Sequence, residues 1–479
     1  MKKISRIKKA KIAEKLKTII LVVLSLSCLF FCYRSFEIYR EQALSDNFWG
    51  GTSTANDTTD YGKMTAETQT DVFDRLNEPT FALINQNQGR TVLSGASDDF
   101  ETVAAVANEM ICAAYALPRE EITESGKKEW ETALKTNSVY LRYSAERYPE
   151  YEAEIYKIKN MGFPKFFTEY SEVLVVPSSD KDTAILFRSS GSGKIVKAKI
   201  VDDKAKKLLQ ILEKNDKKNT KDYVFAAELN LDEEANGKAV LNSMILINTN
   251  KIKAKDIVAE VPRLYKAGLN FTKTTEFVTD LINIFGYNPN TIRQYVNQEK
   301  ALIFVGENGN LNIYPDGKLE YKALGINEGI PLLATGSDGI SAITFGVCDV
   351  IEKVMKVSGV DKDGSGFDIK FAKQPQQALV NKKTEFFFDY FVDGKKVLFE
   401  QEPAIYMAVE GGRLVELKMQ VKNIKVLETE TQIEALIEEI DKDFAENPGK
   451  KNIEETGIVY RYNKNGDKIH AEWKLSGER

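Results

Sequence analysis

One histidine, His470, occurs in 479 residues. Ser-His-Asp and Cys-His catalysis both need an imidazole oriented by a third group. A lone histidine beside Trp473 on a strand reads as surface or packing instead. The same shortage excludes a His-rich zinc site, and no Cys-x-x-Cys follows the N-terminal apolar run. Of four cysteines, Cys28 and Cys32 lie in that run. Cys112 and Cys348 remain, which is no disulfide framework. Both fall at helical positions and read as packed thiols. Long charge-free apolar runs are equally scarce. There is one, Thr18–Tyr33, closed by Lys17 and Arg34.

Those sixteen residues rise about 24 Å as a helix, somewhat short of the roughly 30 Å hydrocarbon core. Ile12, Leu16 and the snorkelling stems of flanking Lys and Arg make up the difference. Ahead of the run, eight basic residues face only Glu14. Behind it, Arg34 and Arg40 are balanced by Glu37 and Glu41. The positive-inside rule then predicts a cytoplasmic tail over 1–17, a span over 18–34 and an extracytoplasmic remainder. A cleaved signal peptide would show small residues at its cleavage site. The run instead passes into Phe30, Phe31, Cys32 and Tyr33, so an uncleaved anchor is expected. Ser25, Cys28 and Cys32 share one helix face, where small and polar residues let a second helix approach closely in lipid. They are the candidate transmembrane interaction face.

The chain carries a net charge of −5. With about +7 in the tail, everything beyond Lys17 is strongly acidic, which argues against nucleic acid as a partner. The basic tail suits the anionic inner leaflet, so membrane lipid is one expected partner.

Several motifs imitate chemistry without completing it. Ser190-Gly191-Ser192-Gly193-Lys194 lacks the upstream glycine and following Ser or Thr of a phosphate loop, and reads as a hairpin turn. Asp361, Asp363, Ser365 and Gly366 match the start of an EF-hand loop. Ala372 stands where the bidentate Glu is required, so calcium binding is not expected. Ser178–Lys181 matches S-x-x-K without its companion elements. The adjacent carboxylate pairs Glu120/Glu121, Glu233/Glu234 and Glu438/Glu439 diverge and cannot flank one bond. No catalytic residue, metal site or cofactor site is expected.

Beyond a polar stalk over 35–67, the pattern predicts an α+β ectodomain. A first part, 68–250, opens with strands at Thr80–Asn85 and Arg90–Ser94. An amphipathic helix follows, with Phe100, Val103, Ala107, Met110, Ile111 and Ala114 on one face and a capping-box-like start at Asp98 and Glu101. A middle unit, 251–330, and a last unit, 331–479, each read as a helix followed by an antiparallel meander. Their helices are expected over Thr272–Phe285 and Ile340–Val357. In the strand Leu414–Val421, apolar and polar residues alternate. A helix is expected near Thr431–Phe444.

Two blocks in these units resemble a known family. Leu281–Arg293, running on to Tyr314-Pro315-Asp316-Gly317-Lys318-Leu319-Glu320-Tyr321, is similar to the YycH family's helix, aromatic-Asn-Pro segment and D-G-x-L-x-Y strands. Phe388–Val397, Ala404–Val409 and Leu414–Val421, with Ala471-Glu472-Trp473, resemble its repeated C-terminal hairpins and closing Trp strand. YycH and its sister YycI are single-span accessory regulators of an essential sensor histidine kinase that controls cell-wall metabolism in Gram-positive bacteria. The resemblance implies a non-catalytic, membrane-anchored regulator. Its span would pack against the kinase's transmembrane helices, and a YycI-like sister protein is a further partner. The competing readings are a membrane-anchored cell-wall enzyme and an extracytoplasmic binding or scaffold protein without a kinase partner.

Overall fold

In the computed structural model, contacts divide the chain into Met1–Lys63 and Met64–Arg479. The structure describes residues 72–477 of the second unit, except 87–88, 96, 160, 216–221, 232–239, 263–275, 326–327, 333–338, 361–365, 376–382, 401, 448–451 and 465–467. The expected span, its candidate face and the Asp361–Ser365 loop lie outside the described residues. Among the described residues no helix is long and apolar enough to cross a membrane.

The N-terminal sheet comprises β1 (Phe81–Gln86), β2 (Gly89–Leu93), β3 (Ile122–Ser125), β4 (Ser138–Arg147), β5 (Tyr170–Pro177), β6 (Asp182–Arg188) and β7 (Ile195–Val201). Their order is β2-β1-β4-β5-β6-β7-β3, and every neighbouring pair is antiparallel. Helices cover both faces. On one, α1 (Asp98–Tyr115) and α4 (Lys204–Asn215) pack Phe100, Met110 and Leu208 against Val139, Leu141 and Phe187. On the other, α2 (Lys127–Leu134) sets Trp130 and Leu134 against Tyr140, Leu174 and Leu186. Two covered faces explain why β5 is a near-continuous apolar run. A seven-residue helix, α3 (Pro149–Ile155), leaves the end of β4. The cap of α1 is Ser97, whose side chain accepts the Phe100 N–H at 3.2 Å, one residue earlier than the sequence pattern placed it.

Short strands β8 (Tyr223–Phe225), β9 (Val240–Leu241) and β10 (Leu246–Asn248) lead into the long β11 (Ile252–Glu260). Next, α5 (Glu276–Ile284) precedes β12 (Arg293–Val296), β13 (Leu302–Gly306), β14 (Gly309–Ile313) and β15 (Lys318–Ala323). After β16 (Ile330–Pro331), α6 (Ile340–Val357) precedes β17 (Asp368–Lys373), β18 (Thr384–Val392), β19 (Lys395–Leu398), β20 (Ile405–Glu410), β21 (Arg413–Gln420) and β22 (Asn423–Ile433). The chain closes with α7 (Leu436–Glu446), β23 (Asn452–Ile453), β24 (Glu455–Arg461) and β25 (Ala471–Ser476).

Strands on both sides of α6 share one twelve-stranded sheet, because β15 pairs with β21. Register aligns its side chains in rows. Phe304, Leu311, Tyr321, Leu417, Met407 and Phe386 are successive cross-strand partners, all buried. Helices α5 and α6 supply Leu281, Phe285, Val347 and Ile351 to the same core. Strand β22 leaves this sheet to pair with β11 as a two-stranded ribbon.

Helical residues 72–76 and α3 belong to this second core, although both lie early in the chain. Phe73, Leu76, Tyr151 and Ile155 pack within it, and Phe73 meets Phe371 edge-on at 6.2 Å. The tip of the β18–β19 hairpin also abuts the N-terminal part. A Cβ on Gly394 would lie 2.0 Å from the Thr80 carbonyl oxygen, and Gly394 has φ +72°. Gly394→Ala is therefore expected to destabilise the chain by about 2 kcal/mol or more, from strain plus overpacking. Gly411→Ala shares the left-handed backbone at φ +57° but has nothing within 4 Å, so it should cost only about 1 kcal/mol. Urea denaturation of the two variants compares them directly.

Candidate functional site

The densest polar constellation is buried where the two sheets meet. Val139, Leu141 and Tyr143 of β4 pack with α1, and after a register shift against β5 the strand ends at buried Arg147, opposite Tyr170. Pro149 then opens α3 at a position where its missing N–H costs nothing. One turn on, Glu152 comes to lie beside Arg147. Arg147 Nε and one terminal nitrogen donate to Glu152 Oε1 and Oε2 at 2.5 and 2.7 Å. The guanidinium lies 4.2 Å from the centre of the Tyr143 ring. Only 2% of Arg147 and none of Glu152 is exposed.

Glu152 draws donors from three further elements. Tyr115, at the end of α1, donates at 2.6 Å, and Tyr170, at the start of β5, at 3.3 Å. The Gln374 amide, just beyond β17, donates to Oε1 at 2.8 Å. Five donor contacts, the Tyr170 one long, saturate the roughly four lone-pair sites of a carboxylate. Burial, and then the charge of Glu152, push the Tyr115 hydroxyl well above its ordinary range, so it remains a donor. Cys112, one turn earlier on α1, is pushed up to about 12, first by burial and then by Glu152. That makes Cys112 an unreactive thiol; neither it nor buried Cys348 on α6 is in a disulfide.

Gln374 ties this pair to the second core. Its Oε1 accepts the Tyr148 N–H at 2.8 Å, and its amide also donates to Asn77. The Tyr151 hydroxyl bonds Thr344 Oγ1 at 2.9 Å. Helix α6 begins at Gly339, which offers no side-chain cap. Glu154 of α3 takes that role from outside, accepting the Ile340 N–H at 3.0 Å. Lys370, 2% exposed, donates to Glu78 Oε2 at 2.8 Å and to the Pro79 carbonyl at 3.3 Å.

Three other titratable groups sit in unusual surroundings. Asp256 on β11 is nearly fully buried under the ribbon. Removal from water would raise its pKa. Hydrogen bonds from Thr429 and Thr431, both at 2.6 Å, with His470 and Lys468, hold it well below the carboxylate range instead. His470, read from the sequence as surface or packing, is thus half-exposed and fixed, with Nδ1 2.8 Å from Asp256 and 2.7 Å from Thr431 Oγ1. Glu146 is pushed up to about 7 by burial and then by Glu169, against hydrogen bonds from the Gly191 backbone and Ser171. Burial holds Lys422 down to about 8, with Asp316 opposing.

Nothing here assembles into a reaction centre. Ser190–Lys194 is the turn between β6 and β7, and Ser178–Lys181 the turn between β5 and β6. Among the described residues no group of three or more His, Cys, Asp and Glu side chains could hold a metal ion. A concavity beside Glu131, Phe225, Glu228 and Met244 measures about 40 Å³, room for a water or two. Ser25, Cys28 and Cys32 lie outside the described residues. The Arg147–Glu152 constellation was missed in the sequence. Its available signal was the Pro149 helix start directly after an alternating strand.

No family model and no curated protein sequence matches the chain. The crystal structure of YycH from Bacillus subtilis superposes on it with a TM-score of 0.52. The match covers 85% of this chain and 95% of that one at 11% sequence identity. The chain therefore has an α+β, YycH-like fold. At so low an identity the likeness speaks for fold and not for activity.

Two measurements test the electrostatics of this region. Arg147→Met is expected to lower stability by about 3–5 kcal/mol in urea denaturation, because it strands a buried carboxylate. Adding Glu152→Gln should recover part of that loss, which a double-mutant cycle reads as coupling. Glu146 has a raised folded-state pKa, so its stabilising contribution is complete below about pH 4.5 and is lost as pH rises through about 7. Glu146→Gln should flatten the stability–pH curve across that window and leave the rest of the profile unchanged.

Proposed function

We propose that this chain is a YycH-type accessory regulator, anchored by one span, that biases the on/off equilibrium of a two-component sensor histidine kinase. The observation that carries the reading is the YycH-like fold over 95% of the solved YycH chain. The residue-level resemblance at Leu281–Arg293, Tyr314–Tyr321 and Phe388–Val397 supports it independently of the backbone. In this reading 1–17 is cytoplasmic, 18–34 crosses the bilayer, 35–67 is a stalk, and the rest stands outside as a multi-domain α+β body. That body comprises an N-terminal part, 68–250, and two helix-plus-meander units, 251–330 and 331–479. The basic tail lies on anionic lipid.

The span packs against the kinase's own transmembrane helices through Ser25, Cys28 and Cys32, and the ectodomain engages the kinase or a YycI-like sister. A regulator needs no reaction centre. It needs different contacts in the two states of its target, and a few kcal/mol of difference suffices. The acidic ectodomain matches a role that does not involve nucleic acid.

A chimera with an unrelated apolar span in place of residues 18–33 tests the transmembrane contact. Output of the cognate kinase, read from a reporter promoter, is expected to shift by several-fold, with the chimera still at the membrane. Unchanged output would remove helix-mediated control. Alkaline phosphatase fused after Arg40 should be active, and fused before Thr18 inactive. The reverse pattern would overturn the orientation.

A further inference from the structure

The N-terminal sheet is covered on both faces, whereas the C-terminal sheet carries α5 and α6 on one. Among the described residues its other face is formed by two rows of cross-strand partners that are half-exposed or exposed, apart from the small Ala408. One row runs Phe387, Tyr406, Lys418, Glu320 and Asn312, and ends at Ile303 and Tyr295. The second, two residues along each strand, runs Glu385, Ala408, Glu416, Lys322 and Asn310, and ends at Val305 and Arg293.

Each row is close to the chemical complement of the other. On β21, Lys418 stands beside Glu416, its partner within the chain at 2.8 Å. On β15 the order inverts, with Glu320 beside Lys322, so each charge also meets its opposite across the strands. Strand β14 offers Asn312 and Asn310, both half-buried. On β13, Ile303 stands beside Val305. On β12, Tyr295, 51% exposed, stands beside Arg293. We propose that this face docks on the same face of a second copy of the chain. The two-fold axis runs across the strands, between the two rows.

Rotation about that axis sets each row over the other. Lys418 then faces Glu416 of the second copy, and Glu320 faces its Lys322. Ile303 covers Val305, and the Tyr295 ring meets Arg293. Every pairing occurs twice, as an isologous interface requires. The strands of the two copies run antiparallel, compatible with aligned sheet packing. Twist keeps the central strands β14, β15 and β21 in closest contact. Seven strands about 4.8 Å apart span roughly 29 Å, a small face that makes a weak, concentration-dependent dimer.

Sedimentation of the full chain in detergent over a concentration series tests this. The wild type should pass from monomer to dimer. Lys418→Glu and Glu416→Lys each set like charges opposite one another twice and should weaken the dimer at least about tenfold. Mixed in equal amounts, the two variants should associate as tightly as the wild type, since each supplies the charge the other lacks. A folding defect in either would not be repaired by mixing. A wild type that stays monomeric at every concentration leaves the face to a different partner and overturns the proposal. So does a dimer indifferent to both substitutions, or a mixture no tighter than its components.

Discussion

The buried Arg147–Glu152 pair is the contact on which the arrangement of the two sheets depends. Two charges taken out of water cost more than their attraction returns unless every remaining donor and acceptor finds a partner. Glu152 meets that condition only with help from Tyr115, Tyr170 and Gln374, which lie on three separate segments. An apolar seam of equal area would hold the sheets as firmly and tolerate sliding. A carboxylate with five donors has one good position. Specificity of docking is the physical return on a pair that contributes little net stability. The remaining Arg147 nitrogen, buried without a partner, shows that even here satisfaction is incomplete.

The pair sits at a crossing of the chain. Residues 72–76 and α3 belong by sequence to the first part and by packing to the second. Glu154 caps α6 from across the boundary, and Lys370 reaches back to Glu78 and Pro79. At the other end, β9 pairs with β23, and Ala226 and Leu241 share a cluster with Leu436 and Ile440. The start of the described chain is thus stitched into the second core, and its C-terminal part onto β9 and the segment around Ala226 and Ile247. A displacement imposed on one sheet meets resistance at both places, so the described body responds as a unit. That suits a protein whose output would be a change in how it leans on another.

What the sequence disclosed follows from which forces are local. Helix α6 was legible to the residue, since its apolar stripe and the following Gly359 lie within one segment. The alternation in β21 was equally plain, and so was the α+β class. Strand β8 stops at Phe225, where Glu228 accepts the Phe225 N–H and pairs with Arg90. No local pattern announces Arg90. Thr431, read as a helix start, lies in β22, where Thr429 and Thr431 donate to Asp256, 173 and 175 residues away in sequence. Arg147 and Glu152 look like solvated charges in Ser144-Ala145-Glu146-Arg147-Tyr148-Pro149-Glu150-Tyr151-Glu152. Only their tertiary partners remove them from water.

The difference between the two sheets bears on what the body presents to others. A sheet with helices on both faces has spent its surface on its own core. The C-terminal sheet keeps one face in water, and a face meant only for water needs polarity without order. This one has order. Its charges invert from β21 to β15, and its aromatic side chains lie at both ends of the rows, Phe387 and Tyr406 at one and Tyr295 at the other. Cross-strand pairing of Lys418 with Glu320 and of Glu416 with Lys322 sets that inversion within one chain, and in the proposed dimer the same inversion makes both ionic pairings unlike. A rigid seam between the sheets and an ordered open face on one of them form a coherent pair, since a surface can only recognise a partner if the body behind it does not yield.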